Sequence, residues 1–562
     1  MTWASLVRCI DKSMQVVKGN VRMKCSKKLR AIDLFSGVGG WSLGLKMAGI
    51  EVVKSYEWWD KANDTNNLNN HHATIEQDIR ILKLDSLPTE IDVVVGSPPC
   101  TQFSFSNRGG SGDINDGLVD IEKFLEIVQY LKPKHWAMEN VPRVSSIIEQ
   151  ELKSGGSLAK YACLKPAISI IDAHHWGVPQ KRMRCIVGNL NFDLLNAYKK
   201  KVKVKTLGDV VSALQKDTVV DPNYSITMNA KAVSDHVIEE FLNDEERRIN
   251  RDAKTFHPVY NNMEFPDSFT RPARTVTATC TRISRESIVI SAPEKSGKFR
   301  RLTIRERACL QSFPVFYQFF GDTYSQKIKM VGNAVPPLLS FYVAQAMLGI
   351  KPESVIRPSD GIRNSNRPLK KPAVTLPDTH GEKHAKNRRF RASIPHLRFK
   401  SGMRFELSNS FNDQEKVSWR VRFFLGDSKN IAEIVLGASC LKAVSEPEVD
   451  SLLREAKRLY AVFVKTHKNL TAKQLQGAWN KTGKSKFTPF DVVDNVGSLL
   501  AALLKYAPSD SQVSESIVAS LLDRNKIKVS SRKAGKYAGP ILVGTIFSCL
   551  INHFLQSSEF NS

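Results

Sequence analysis

Between residues 29 and 190, short β-branched runs alternate with stretches whose apolar positions recur at helical spacing, the rhythm of a parallel sheet flanked by helices. The runs Arg30 to Leu34, Glu51 to Tyr56, Ile91 to Val95, His135 to Met138 and Cys185 to Gly188 are read as strands. Trp41 to Met47, Lys61 to Asn70 and Leu118 to Leu131 are read as helices. From Thr101 to Gly117, glycine and short polar residues replace the apolar ones, which predicts a mobile loop. The periodicity weakens from Asn189 to about Thr270, with a basic cluster at Lys199 to Lys205, so a separate module is expected there. Strand and helix signals return over 271–348 and end in Val331-Gly332-Asn333-Ala334-Val335-Pro336-Pro337, a proline pair suited to a helix start.

The remainder of the chain changes character. Residues 351–400 hold 13 Lys/Arg against 4 Asp/Glu, are rich in Pro and Asn, and read as a basic linker or arm. Residues 401–562 alternate around Trp419 to Leu425 and then show helical patterns near Val449 to Val464 and Val496 to Tyr506, which predicts a C-terminal α+β domain. The expected organisation is a basic extension (1–28), a first core segment (29–188), an inserted module (189–270), a return to the core (271–350), the linker (351–400) and the C-terminal domain (401–562). Met23 is an alternative start for the first strand's segment.

A chain of 562 residues exceeds one ordinary core, in keeping with several domains. Its net charge of +26 is too one-sided for a typical metabolic enzyme and points to a polyanionic partner, nucleic acid first. The nine cysteines form no C-x-x-C pair, so neither a zinc ribbon nor a disulfide framework is indicated and no metal is expected. No uninterrupted run of 18 apolar residues occurs, and a cytoplasmic protein without membrane partners is expected.

Cys100 carries the most chemistry. It ends Val94-Val95-Gly96-Ser97-Pro98-Pro99-Cys100, a thiol on a proline-stiffened loop after a hydrophobic strand, where a nucleophile is expected. Asp33-Leu34-Phe35-Ser36-Gly37-Val38-Gly39-Gly40 leaves a strand for a helix, and its glycines let a ligand approach the backbone. Glu57, twenty residues beyond Gly37 at the end of the second strand, stands where a carboxylate binds ribose hydroxyls. Asp78 is placed either to accept from an adenine amino group or to cap a helix. Glu139, in Glu139-Asn140-Val141, projects from a strand end towards the same cleft, and when protonated could donate to a pyrimidine N3. In Gln180-Lys181-Arg182-Met183-Arg184, strand alternation would let Arg182 and Arg184 converge on a base oxygen and a phosphate. Enzymes that methylate exocyclic amino groups carry an aromatic residue after a similar Ser-Pro-Pro. A thiol stands here instead, and only addition to a cytosine ring needs one.

The order of these motifs resembles the cytosine-C5 methyltransferase family over about residues 29–348. It includes Thr101-Gln102-Phe103-Ser104 after Cys100 and Arg271-Pro272-Ala273-Arg274-Thr275-Val276-Thr277. The resemblance implies a Rossmann-like α/β domain that binds S-adenosylmethionine through Phe35, Ser36, Gly37, Val38, Gly39, Glu57, Trp58, Asp78 and Asn333, with Asp33, Pro98 and Ala334 also in the binding site. It further implies Cys100 as nucleophile, Glu139 as the acid at N3, Arg184 as the arginine that steadies the Pro-Pro-Cys loop, and a base flipped from duplex DNA. The family's target-recognition region would fall at about 189–270, and that span is modest. Ser97 replaces a bulkier residue found in many members. A monomer acting in a restriction-modification system, beside a separate endonuclease, is the expected setting. The alternatives are the same chemistry on tRNA, or a DNA-binding regulator with a fused C-terminal module.

Overall fold

A computed structural model describes residues 28–103, 112–256, 262–364, 367–368, 370–381, 384–399, 402–425, 431–437, 447–483, 485–508, 511–524 and 535–561. These divide into two compact units, one of residues 1–241 and 266–378, the other of residues 242–265 and 379–562.

The first unit is built on a seven-stranded sheet of order β3-β2-β1-β4-β5-β7-β6. Its strands are β1 (Arg30–Leu34), β2 (Glu51–Glu57), β3 (Ala73–Glu76), β4 (Val93–Gly96), β5 (His135–Asn140), β6 (Ala167–Asp172) and β7 (Met183–Gly188). Because successive side chains leave opposite faces of a strand, neighbours divide between two cores. Ala31, Val93, Val95 and Ala137 join one, while Ile32, Val94, Trp136 and Met138 join the other. Helix α1 (Gly40–Met47) covers the first face and helix α3 (Ile114–Leu131) the second, with α2 (Asp60–Asn70) between β2 and β3. Strands β1 to β5 run parallel, but β7 is antiparallel to both β5 and β6, so the sheet is mixed rather than wholly parallel. An antiparallel β7 places its first residues, not its last, at the edge where β4 and β5 end, and Arg184 lies there.

Other expectations also change. Helix α3 begins at Ile114, where Asp113 caps the backbone of Asn115, so the last residues of the loop read at 101–117 are helical; residues 104–111 lie outside the described residues. The span 189–270 is not one module. Its first half, with Leu207, Val210, Val211, Leu214 and Val219, is packed in the sheet unit's own core. Helix α4 (Asp244–Thr255), from its second half, belongs to the other unit. Towards the end of the sheet unit come α5 (Tyr324–Asn333) and α6 (Pro337–Met347), the latter started by its proline pair. Close packing of α6 on α1 requires glycine: a Cβ on Gly44 would lie 2.1 Å from Ser340 Oγ.

In the first unit, β8 (Thr218–Val220) pairs with β9 (Thr227–Asn229) and β10 (Val289–Ser291) with β11 (Phe299–Arg301); the second unit has a four-stranded antiparallel sheet in which β12 (Arg391–Arg398), β13 (Arg404–Phe411), β14 (Val417–Leu425) and β15 (Ala432–Ile434) are neighbours in that order. β12 falls inside the stretch expected to be a linker. Its Ile394 and Leu397 are buried among Phe405, Trp419 and Phe423. Helix α7 (Asp450–His467) and helix α8 (Ala538–Leu555) complete this core with others. By length and composition α8 is apolar enough to cross a membrane, yet 78% of it is buried within the unit, as in a core helix. The polar helix α4 is anchored here by Arg248, which pairs with Asp494 and lies 4.2 Å from the centre of the Phe490 ring. Glu245 pairs with Arg388 at 3.0 Å and Glu246 with His380 at 2.9 Å, while Ile249 packs against the core.

Candidate active site

The strand order reverses between β1 and β4, and at such a switch point the loops leaving both carboxyl ends open a crevice. The glycine turn leaves β1 there and the Cys100 loop leaves β4.

The turn needs left-handed backbone, with φ of 52° at Phe35, 51° at Gly37 and 81° at Gly39. A Cβ at Gly39 would fall 2.1 Å from Asn66 Oδ1, whereas at Gly37 it would meet nothing within 4 Å. Gly37 therefore leaves its backbone facing open space, a surface a ligand can approach. Glu57 folds back beneath the turn: its carboxylate accepts from the Gly37 N–H at 2.9 Å and the Trp59 N–H at 2.9 Å. Burial raises its pKa above the usual carboxylate range, against the lowering effect of those donors. Trp58 is 63% exposed and Asn333 and Asp78 are also exposed, the last capping a short helical turn through the Arg80 N–H at 2.9 Å.

Asp33 differs from the others. It is fully buried and accepts from the Ser42 hydroxyl at 2.6 Å and the Ser42 N–H at 3.1 Å, so it braces the start of α1. Burial pushes its carboxyl up to about 7. The asparagines of α2, not singled out in the sequence, hold the turn from below. Asn66 donates to Ser36 Oγ at 3.3 Å and Asn70 to the Gly39 carbonyl at 3.2 Å, and Tyr317 donates to the Val38 carbonyl. Their spacing of four along one helix face was the available signal.

Cys100 is a half-buried free thiol. Two contacts shape its loop: Trp41 Nε1 donates to Ser97 Oγ at 3.1 Å, and Asn140 Nδ2 donates to the buried Pro98 carbonyl at 3.1 Å. Ser97 thus has a specific partner in α1, and Asn140 adds a positioning residue to the Glu139-Asn140 pair. Beside the loop, Arg184 Nε donates to Glu139 Oε1 at 2.8 Å, and both side chains are largely buried. Burial raises the Cys100 pKa; the Arg184 charge draws it down, but not enough to cancel the burial. With burial dominant, the resting group is a thiol.

Arg182 does not converge with Arg184 on the cleft. Its guanidinium is buried and donates to the carbonyls of Val276 at 3.2 Å, Gly332 at 3.1 Å and Ala334 at 3.1 Å, and burial lowers its pKa to about 9. Arg182 precedes β7, so strand alternation does not govern it. Gln180 works alongside it, accepting from the Val276 N–H at 2.8 Å and donating to Gln311 at 2.9 Å. Together they tie the 271–277 and 331–337 motifs to the strand that presents Arg184.

The description C-5 cytosine-specific DNA methylase matches residues 29–349. The type II methyltransferase M.HindV of Haemophilus influenzae is 28% identical over 345 residues, covering 58% of this chain and 99% of that protein. The type II methyltransferase M1.HphI of Haemophilus parahaemolyticus is 29% identical, covering 57% of this chain and 87% of that protein. The type II methyltransferase M.AplI of Arthrospira platensis is 30% identical, covering 61% and 93%.

Proposed function

This chain belongs to the C-5 cytosine-specific DNA methylase family, and from that premise we propose that it methylates carbon 5 of a cytosine in duplex DNA, with Cys100 as nucleophile. The observation that carries the assignment to Cys100 is the convergence, at one sheet edge, of its loop with the Glu139–Arg184 pair and the glycine turn.

The residues of the turn fit S-adenosylmethionine: open space over Gly37, the Glu57 carboxylate, and exposed Trp58, Asp78 and Asn333 would hold it, with Phe35, Ser36, Val38, Gly39, Pro98 and Ala334 forming the wall. When bound, it supplies the methyl group. Asp33 acts at one remove, by fixing α1.

A cytosine within a duplex cannot reach a recessed thiol, so the base is extruded into the crevice at a cost of a few kcal/mol. The Cys100 thiol gives up its proton to solvent and its sulfur bonds carbon 6, while Glu139 holds N3 and stabilises the charge that builds there. Arg184 orients Glu139 and favours the thiolate. Carbon 5 then carries the electron pair and bonds the methyl group. Loss of the carbon 5 proton to solvent expels the Cys100 sulfur and restores the ring.

Type II methyltransferase relatives support a protective role in a restriction-modification system, and the proposed setting is the cytoplasm. With radiolabelled S-adenosylmethionine, wild-type protein should label cytosine-containing duplexes in preference to tRNA, and Cys100→Ala should bind duplex yet transfer nothing. Residual transfer by Cys100→Ala would remove the covalent route, and preferential labelling of tRNA would favour the RNA alternative.

A further inference from the structure

The second unit lies almost wholly beyond the family match, which ends at residue 349. It carries 33 Lys/Arg against 21 Asp/Glu over residues 242–265 and 379–562, a net +12 of the chain's +26. Among the described residues, part of that excess gathers on one helix face. Helix α7 buries Leu452, Ala456, Leu459, Phe463 and His467 on one side. At 100° per residue, Arg454, Lys457, Arg458, Lys465 and Lys468 fall on the opposite side, within an arc of about 100°. All five are exposed. They run about 21 Å along the helix, and between them lies exposed Ala461, too small to keep a partner off the helix.

A solvated helix face usually mixes charge signs. Here the acidic neighbours are Asp450, at the start of the helix, and Glu455, which pairs with Arg458 at 2.7 Å. Favourable interaction with the helix dipole accounts for basic residues in the last turn, such as Lys465, but not for Arg454, Lys457 and Arg458 in the first half. A row of cations along one face is complementary in charge to a duplex phosphate backbone, whose charges follow one another along a rigid polyanion. The second observation is in the chain path. Helix α4, from the span where recognition of DNA was expected, folds with this unit through Arg248, Glu245 and Ile249.

We propose that the unit of residues 242–265 and 379–562 is a duplex-DNA-binding module, and that the basic face of α7 is the surface that grips the phosphates. The inference rests on the reading of duplex DNA as substrate. It assigns the C-terminal part of the chain a share in holding the target, beyond the catalytic unit's own contacts.

The test uses the full chain and a fluorescein-labelled 30-base-pair duplex, titrated at several salt concentrations. The variant carries Arg454→Gln, Lys457→Gln, Lys465→Gln and Lys468→Gln; the control carries Lys386→Gln, Lys416→Gln, Lys486→Gln and Lys505→Gln, exposed positions of the same unit off α7. The α7 variant should bind at least about tenfold more weakly at moderate salt, with the slope of log Kd against log salt reduced by about 3 to 4, near 0.9 for each lost phosphate contact. The control should stay within about twofold of wild type. An unchanged slope overturns the proposal, and so does an equal loss in the control, which would mean bulk charge rather than a defined face. Circular dichroism shows whether the variant is folded. In parallel, formation of the S-adenosylmethionine-dependent covalent adduct on 5-fluorocytosine duplex at saturating DNA should survive in the variant. Absence of adduct in wild type would sink the methyltransfer reading, whereas an unchanged slope with adduct intact sinks only the α7 surface.

Discussion

Replacing Arg182 with methionine should act by destabilising the catalytic unit rather than by removing a group that touches the base. The side chain is buried and its guanidinium donates to the carbonyls of Val276, Gly332 and Ala334. Methionine fills most of the volume but donates nothing. An orphaned buried acceptor costs about 1–3 kcal/mol. Gln311 already reaches the Gly332 and Ala334 carbonyls at 3.4 Å, so two of the three keep a weak partner. Relief of the arginine's own desolvation, which holds its pKa near 9, offsets part of the loss. A net destabilisation of about 2–4 kcal/mol follows. Urea unfolding followed by tryptophan fluorescence measures it, because Trp41 and Trp176 are buried in this unit. Arg182→Lys, which keeps one or two of the bonds, should recover about half. A methionine variant as stable as wild type but unable to transfer methyl would refute the positioning role and return Arg182 to the base-contacting role first expected of it.

Three further outcomes are expected. Because burial raises the Cys100 pKa, the single-turnover rate should climb about tenfold per pH unit below that pKa, and Arg184→Ala, which removes the charge drawing it down, should move the inflection to higher pH; a flat profile from pH 6 to 9 would contradict a resting thiol. Gly39→Ala sets a Cβ 2.1 Å from Asn66 Oδ1 on a backbone with φ of 81°, so calorimetry should find S-adenosylhomocysteine bound at least about tenfold more weakly, while Gly49→Ala, also left-handed but facing open space, should bind normally. Asp33 has a folded pKa near 7 against 3.8 in the unfolded chain, so the unfolded state loses its proton first and stability falls as pH rises from about 4 to 7; Asp33→Asn should abolish that fall and, at neutral pH, be the more stable by up to about 4 kcal/mol, and an identical pH dependence in both proteins would rule this out.

Much of the catalytic unit was legible because its central strands are buried on both faces and so appear as unbroken apolar runs, such as Val93 to Gly96. The outer strands were not. β3 is short and mostly exposed at the sheet edge, and β6 lies at the other edge, so neither carries that signature. Periodicity also says nothing about strand direction, so the antiparallel course of β7 has no local signature. The candidate residues that converge were readable because Cys100 sits on the loop that follows β4, Glu139 near the end of β5 and Arg184 near the start of β7. Arg182 stands one residue ahead of β7, where strand alternation does not set the side chain's direction. The i, i+4 asparagines of α2 carried a local signal, but the anchoring of α4 by Arg248 depends on a contact between segments far apart in the chain, which no local pattern encodes. In β12 a strongly basic composition concealed the two inward apolar residues, Ile394 and Leu397, that decide its fate.

Fluorine at carbon 5 cannot leave as the proton does, so a nucleophile that has added to carbon 6 stays attached once the methyl group is in place. Incubated with S-adenosylmethionine and a duplex containing 5-fluorocytosine, the wild-type chain should form a denaturant-stable complex whose crosslinked peptide maps to Cys100, and Cys100→Ser should form none. A wild-type protein that methylates cytosine but yields no such complex, or a complex mapped to any other residue, would contradict Cys100 as the attacking group.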